Sequence, residues 1–174
     1  MSFISILLGG VLSGVNRFKR FTIFAAMDKM DLANTCLQLL QQKMNEAETA
    51  MKAAQESANS NEKSSMGDKY ETGRAMGQLD RDMHAKRLAS LQTDFRNLLK
   101  IDLSIMAKQV ELGSLVQTET FYYWIAVALG PVMLNQEKVM VISPVSPIAK
   151  LLMGKKMGDR VDFNGNKSNI ISLA

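Results

Sequence analysis

The sequence predicts an α+β protein in which an antiparallel coiled-coil hairpin precedes a small β-rich domain with one short helix. Apolar residues recur at heptad spacing in the first part of the chain, and β-branched and aromatic runs separated by Gly, Pro and Asn follow in the last part. With 174 residues, of which 47% are hydrophobic and 22% charged, the chain can bury the core of one domain or two small ones. We divide it into residues 1–26, 27–112 and 113–174.

Residues 1–26 form an apolar leader that we expect to lie outside the functional fold. The first 16 residues carry no charge, and Arg17, Lys19 and Arg20 come after them, which reverses the order of a signal peptide. The apolar run is also shorter than the ~20 residues that span a bilayer. We therefore expect the working protein to begin near Met27 or Met30, the alternative being a short membrane-associating anchor.

The first helix of the hairpin is indicated by apolar positions that advance in alternating steps of four and three. These positions are Ala33, Leu37, Leu40, Met44, Ala47, Met51 and Ala54. Such spacing is typical of a helix that packs lengthwise on a partner helix. Asp31 is the expected N-cap. Residues 57–67, rich in Ser, Asn and Gly, predict the turn that follows.

The second helix resumes the pattern after the turn. Its apolar positions are Met76, Leu79, Met83, Leu91, Phe95 and Leu98, and the eight-residue step after Met83 predicts a stutter of one residue. Because a short turn makes consecutive helices antiparallel, we expect a hairpin over about residues 30–108. Met44, Met51, Met76 and Met83 are expected in its core. His84 has no second His or Cys at ligand spacing and is expected on the surface or the flank.

The last part of the chain predicts five strands and one short helix around a single core. The strands are residues 114–118, 121–128, 139–142, 160–163 and 170–173. Ser146 suits a helix N-cap, Pro147 the first helical position and Gly154 the exit, so a short helix lies between the third and fourth strands. A hairpin turn at residues 164–166, Asn-Gly-Asn, joins the last two strands.

The composition excludes several kinds of active site. The single cysteine, Cys36, and the single histidine, His84, exclude a disulfide framework, a CxxC zinc site and a His-rich metal site. They also argue against Cys/His/His acyl transfer, because one histidine cannot both orient a thiolate and help form an oxyanion site. The overall charge of +4 is concentrated in residues 1–26, which contribute +3. The remainder is nearly neutral, so the basicity does not argue for nucleic-acid binding. Tyr122, Tyr123 and Trp124 are more typical of strand packing than of a pocket.

Two motifs resemble one protein family. Residues 143–159, SPVSPIAKLLMGKKMGD, resemble the SP-I/L-A-R/K-x-L-x-G-K-x-x-G-D segment in the C-terminal domain of the bacterial GreA/GreB transcript cleavage factors. Residues 67–71, GDKYE, are similar to the tip of that family's coiled coil, where an Asp and a Glu three residues later follow a glycine. The order of hairpin and β domain matches as well, so the resemblance covers about residues 28–173. It implies an FK506-binding-protein-like (FKBP-like) fold for residues 113–174.

The resemblance also implies a function. Gre-type factors are not enzymes; they bind bacterial RNA polymerase through its secondary channel and stimulate the polymerase's own cleavage of backtracked RNA. By this resemblance Asp68 and Glu71 would hold Mg²⁺ jointly with the polymerase, Ser146, Pro147, Lys155 and Lys156 would bind the partner, and contact with nascent RNA is possible. The protein would be cytoplasmic, and we expect no stable membrane association unless residues 1–26 are retained.

Alternatives to these assignments remain open. Asp68 and Glu71 also suit an N-terminal cap and a first-turn acid of a helix. The nearby cations would weaken their attraction for a metal; these are Lys63, Lys69 and Arg74. The residue pair 155–156 also fits a solvated turn. A Gre-like regulator that binds polymerase without stimulating cleavage, an FKBP-like isomerase, chaperone or interaction module, and a membrane-tethered adaptor are the competing functions.

Overall fold

A computed structural model describes residues 27–60, 68–104 and 107–174, without the side chains of residue 60 and residues 68–71. The predicted leader and residues 61–67 lie outside the described part of the chain. The protein divides into two compact units. One is Thr35–Lys100, and the other is Ile101–Ala174 together with the described residues that precede Thr35.

The first unit is built from two long helices. Helix α1 is Lys29–Ser60 and helix α2 is Asp68–Leu99, each of 32 residues. A Cβ atom at Gly77 would lie 3.0 Å from Ala58 Cβ, and four residues further along α2 Arg81 donates to Gln55. Since the numbering rises on one helix as it falls on the other, the helices are antiparallel, which confirms the predicted hairpin.

The helix ends differ from the prediction. Met30 donates its backbone N–H to Asp28 Oδ1 at 2.8 Å, so Asp28 caps α1 and Asp31 lies in its first turn. Helix α1 continues through Ser60, so residues 57–60 are helical rather than part of the turn. Helix α2 ends at Leu99 rather than near residue 108 because Asp102 accepts bonds from the Ser104 N–H and hydroxyl, at 2.9 and 2.6 Å, which favours a turn.

The interhelical seam on α2 follows different residues from those predicted. Its buried and half-buried positions advance in unbroken steps of four and three and include Gly77, Arg81, His84, Leu88, Leu91, Phe95 and Leu98. The predicted stutter is therefore wrong. Met76 and Met83 are exposed rather than in the core, and His84 is half-buried at a seam position. The part of the seam nearest the turn consists of glycine, arginine and histidine, so that part offers no apolar periodicity to detect.

The seam on α1 agrees more closely with the prediction. Ala33, Leu40 and Ala47 are buried, and the other predicted positions are half-buried: Leu37, Met44, Met51 and Ala54. Cys36 and Ala58 are buried in addition. The hydrophobic pattern locates this seam because large or small apolar side chains fill nearly all of it.

The second unit is a six-stranded sheet with one short helix. Its strands are β1 (Leu115–Thr118), β2 (Tyr122–Ile125), β3 (Gly130–Leu134), β4 (Glu137–Ile142), β5 (Arg160–Phe163) and β6 (Asn166–Leu173). Their spatial order is β3-β4-β2-β1-β6-β5, and β2 pairs with β4 in parallel whereas the other neighbours are antiparallel. Five of these strands match predicted segments, although β2 is shorter than predicted.

Strand β3 was missing from the prediction. It forms a hairpin with β4 across Asn135 and Gln136, whose φ angles are 50° and 67°. Both central residues of such a turn adopt the left-handed region, where glycine and asparagine are preferred and glutamine gives no signal. The turn at Asn164 and Gly165, with φ angles of 53° and 79°, confirms the hairpin predicted between β5 and β6.

The core of the second unit includes residues from the sheet, helix α3 (Pro147–Leu152) and the segment that precedes β1. It contains Val110, Val116, Ile125, Ala149, Leu152, Val161 and Ile170. Trp124 is fully buried, and its Nε1 donates to the carbonyl of Gly113 at 3.1 Å. All four residues of β1 are buried, so the centre of the sheet is covered on both faces.

Candidate functional site

The two acidic residues that the sequence singled out lie at the start of helix α2. Asp68 is the first residue of α2 and Glu71 lies three residues later, within the first helical turn. Positions three apart in a helix lie on one side of it, and acids in a first turn interact favourably with the helix dipole. This placement suits both interpretations of the pair, as metal ligands and as helix-stabilising acids.

Behind the tip the two helices approach closely. The position where a Cβ atom of Gly77 would stand is 3.0 Å from Ala58 Cβ and 3.3 Å from Ala58 Cα. One turn further on, Arg81 donates from Nη1 to Gln55 Oε1 at 2.9 Å and from Nη2 to Asp82 Oδ1 at 2.7 Å. Small residues and a polar bridge therefore hold the tip half of the hairpin together, whereas leucines and a phenylalanine occupy the other half.

The motif of residues 143–159 folds as a capped helix. Ser146 has extended backbone angles, and its Oγ accepts the N–H of Ala149 at 3.3 Å. Pro147 stands at the start of α3, where its missing N–H costs nothing, and Gly154 follows the helix with a φ of 76°. These details agree with the roles expected for the three residues. Ser146 is half-buried and Pro147 is exposed.

The two lysines after α3 differ in their surroundings. Lys155 is half-buried, and its carbonyl accepts the N–H of Val110 at 2.8 Å. Lys156 is exposed, and its backbone N–H donates to Asp159 Oδ2 at 2.8 Å. The backbone bonds fix the turn without using either ammonium group. Within residues 27–60, 68–104 and 107–174 no ion pair holds either ammonium group, so both suit an acidic partner, although the turn is stable without one.

An apolar cleft that the sequence did not indicate lies beside α3 in the second unit. It has a volume of about 370 Å³, including space open to solvent, and none of the described residues that line it is charged. Its apolar lining consists of Phe121, Tyr123, Ile148, Leu152, Val161 and Phe163. The residues come from β1–β2, α3 and β5–β6, which are far apart in the sequence, so no local pattern could reveal the cleft.

At the edge of the cleft, Thr118 fixes the backbone of Phe121, and the Phe121 ring contacts that of Tyr123. Thr118 Oγ1 accepts the N–H of Phe121 at 3.0 Å and donates to its carbonyl at 2.9 Å, and the rings of Phe121 and Tyr123 meet edge to face with centroids 6.0 Å apart. Burial raises the pKa of Tyr123 above its ordinary value. Of the three aromatic residues singled out in the sequence, Tyr123 faces the cleft, whereas Tyr122 and Trp124 are buried in the sheet.

The predicted site residues fall into two groups. Asp68 and Glu71 belong to the hairpin unit, and Ser146, Pro147, Lys155 and Lys156 belong to the sheet unit. Among the described side chains, which do not include those of Asp68 and Glu71, no three His, Cys, Asp or Glu residues converge as metal ligands would. Within the same described ranges, no helix is long and apolar enough to cross a membrane.

The protein is thus an α+β chain with a two-helix hairpin and a six-stranded domain. No family model matches the sequence, and no curated protein matches it. The solved structures that match include the crystal structure of GreA factor homolog 1 (Gfh1) of Thermus thermophilus, at a TM-score of 0.33 and 18% identity over 79% of this chain and 94% of that one. A second is a structure of the transcription factor Gfh1, at a TM-score of 0.35 and 19% identity over 80% of this chain and 93% of that one.

Proposed function

We propose that the protein is a Gre-like transcription elongation factor that binds RNA polymerase through its secondary channel and promotes cleavage of backtracked RNA. The observation that carries the proposal is that one chain contains both motifs that resemble the Gre family, one at the start of a hairpin helix and one in the domain that follows. Asp68 and Glu71 open the second helix of a hairpin, and the SPVSPIAKLLMGKKMGD motif forms a capped helix in the domain that follows. The hairpin supplies reach, and the nuclease centre would belong to the polymerase.

The two tip carboxylates fit a shared magnesium ion by their chemistry. Mg²⁺ prefers hard oxygen ligands, keeps several of its waters and needs only one or two protein carboxylates, which is the set that Asp68 and Glu71 provide. When bound, such an ion would stabilise the oxygens that attack and leave in phosphoryl transfer. The chain's own contribution would be to place two acidic residues within the first turn of α2.

The sheet unit would supply a second contact with the polymerase. Pro147 and Lys156 are exposed on and after α3, Lys155 is half-buried beside them in sequence, and Ser146 fixes the start of the helix. The lysine ammonium groups suit an acidic surface on the partner. Nascent RNA is a further possible contact of the tip within the elongation complex.

The deciding experiment adds the purified full-length protein to stalled, backtracked elongation complexes and follows RNA shortening. The variants Asp68→Asn and Glu71→Gln keep the shape of each side chain and remove its charge. We expect each to reduce the stimulated cleavage rate by at least about tenfold, in line with the loss of a group that acts in the transition state, while binding to the polymerase stays unchanged. Asp80→Asn, an exposed acid further along α2, is the matched control and should cleave normally.

The outcomes separate the competing functions. Binding to the polymerase without any shortening, by the unmodified protein, would replace the cleavage role with that of a regulator that only tunes transcription. Absence of binding under conditions where the protein is folded would refute the proposal. If both tip variants promote RNA shortening normally, the two acids do not hold the metal. The proposal that the protein binds the polymerase would still stand.

The apolar cleft favours a second candidate function, that of an FKBP-like chaperone or interaction module. Its uncharged aromatic lining suits a proline or aliphatic side chain of an extended peptide. Titration with a short uncharged proline-containing peptide should shift the nuclear magnetic resonance signals of Phe121 and Tyr123, and Phe163→Ala should weaken the binding. Signals that stay unchanged at millimolar peptide would exclude this function.

A further inference from the structure

The outer face of α2 carries a stripe of large apolar side chains in water. Met76, Leu79 and Met83 have exposed fractions of 55%, 62% and 56%. Their spacing of three and four residues places them on one side of the helix over two turns, about 10 Å at 1.5 Å per residue. We call these three residues the outer stripe.

The outer stripe is separate from the packing of the hairpin. The seam that faces α1 follows Gly77, Arg81 and His84, which lie on another side of α2. The exposed face of α1 is instead polar, with side-chain bonds between residues four apart: Gln41 to Asn45, Gln42 to Glu46, and Lys52 to Glu48. These parts of α1 therefore expose a polar face, whereas α2 exposes an apolar stripe.

The size of the outer stripe argues against a second copy of the chain as its occupant. Burying an aromatic side chain removes about 150–250 Å², so the exposed fractions of three smaller side chains amount to less than about 450 Å². A standard stable interface buries roughly 800 Å² on each partner. The stripe suits a larger protein that also makes contacts elsewhere on the chain.

Charges at one end of the outer stripe indicate the chemistry of that partner. Lys86 and Arg87 follow Met83 by three and four residues, so they flank the continuation of the stripe away from the tip. Both are exposed, and the described residues offer neither of them an ion pair. Asp80, an exposed acid, lies beside the middle of the stripe, between Leu79 and Met83 in the sequence. A partner would therefore place carboxylates near the two basic residues and apolar groups over the stripe.

We propose that the outer stripe binds an α-helix of the partner protein whose apolar residues recur at three- and four-residue spacing and whose acidic residues meet Lys86 and Arg87. Methionine side chains adapt to irregular apolar surfaces, and a stripe with this spacing matches a second helix lying along it. The inference rests on the proposed function, in which the partner is RNA polymerase, and it adds a contact that the tip and the sheet unit do not provide.

The test compares variants in binding to RNA polymerase core enzyme, measured by fluorescence anisotropy of the labelled full-length protein. The first variant is Met76→Ser/Leu79→Ser/Met83→Ser, and the second is Lys86→Glu/Arg87→Glu. We expect at least about tenfold weaker binding for each, since loss of an apolar contact or reversal of a paired charge affects the complex directly. Gln78→Ser/Gln92→Ser, at exposed positions of the same helix outside the stripe, should bind within twofold of the unmodified protein. Circular dichroism confirms that each variant is helical.

A photoreactive amino acid identifies the contacted element. Placed at position 79, it should crosslink to a helical segment of the polymerase that carries carboxylates, and at position 92 it should not. If the unmodified protein does not bind the polymerase, the proposed function fails and this inference fails with it. If the unmodified protein binds and the stripe variant binds equally well, only this inference fails. A crosslink from position 79 to RNA or to an irregular loop would overturn the helical partner.

Discussion

Replacement of Gly77 by alanine tests the close packing of the two helices, because helix propensity and packing predict opposite effects on stability. At an exposed position inside a helix, the change from glycine to alanine stabilises a protein by about 1 kcal/mol because alanine has the better helix propensity. The sequence alone therefore predicts that Gly77→Ala is stabilising. In the structure the new methyl group would meet Ala58 Cβ at 3.0 Å, Ala58 Cα at 3.3 Å and Ala58 N at 3.4 Å.

These distances cancel or reverse the stabilisation expected from helix propensity. Carbon atoms pack best at about 3.5–4.0 Å, and the opposing atoms belong to the backbone and Cβ of α1, which cannot rotate away. The helices must separate, and overpacking of this kind costs about 1–3 kcal/mol. We therefore expect Gly77→Ala to leave the free energy of unfolding unchanged or to lower it by up to about 2 kcal/mol. The assay is urea unfolding followed by far-ultraviolet circular dichroism, to which α1 and α2 contribute most of the helical signal.

The reciprocal exchange provides the control. Ala58→Gly alone should destabilise by about 1 kcal/mol through helix propensity. Combined with Gly77→Ala it moves the methyl group to the other helix, so the double variant should be more stable than the sum of the single effects by about 1–3 kcal/mol. A stabilisation of about 1 kcal/mol by Gly77→Ala, with additive effects in the cycle, would show that the helices are not in contact at this level.

Two further predictions concern buried groups in the two units. Burial raises the pKa of Cys36 to about 12 from 9.0, so its thiol should react with a thiol reagent at pH 8 about 10³-fold more slowly than in unfolded chain. If Cys36 reacted with the reagent as fast as it does in unfolded chain, its burial would be contradicted. Because the folded state keeps the thiol proton that the unfolded state releases, the free energy of unfolding should also fall as the pH rises from about 9 to 12. Trp124→Phe removes the 3.1 Å bond to the Gly113 carbonyl and leaves a cavity, which should cost about 2–4 kcal/mol. Near-ultraviolet circular dichroism during urea unfolding measures this, and a loss below about 0.5 kcal/mol would contradict the tight packing of the indole.

The elements that the sequence predicted well are those specified by neighbouring residues. Ser146, Pro147 and Gly154 mark the start and end of α3 because a cap, a fixed φ and a left-handed exit are properties of single positions. Asn164 and Gly165 mark their hairpin turn for the same reason. Gln136 has the same left-handed backbone conformation but is not the glycine or asparagine that usually adopts it, so the sequence does not predict the hairpin of β3 and β4.

The sequence predicts candidate site residues only where neighbouring positions form a motif. Asp68 and Glu71 were identified from a local motif, and the structure confirms that both lie at the start of α2. The apolar cleft was not identified because Phe121, Ile148 and Phe163 come together only when the sheet is assembled. The outer stripe was visible in the sequence as Met76, Leu79 and Met83 but was interpreted as core, since spacing alone does not reveal which side of a helix faces its partner.

The sequence by itself determined the α+β class and the order of a hairpin followed by a β domain. These follow from spacing, capping and turn residues, which act within a few positions of one another. Only the tertiary structure decided which face of α2 is buried. The close approach of Gly77 to Ala58 and the bond from Arg81 to Gln55 turn one side inward. The apolar face is therefore left in water, where we propose that it meets a partner helix.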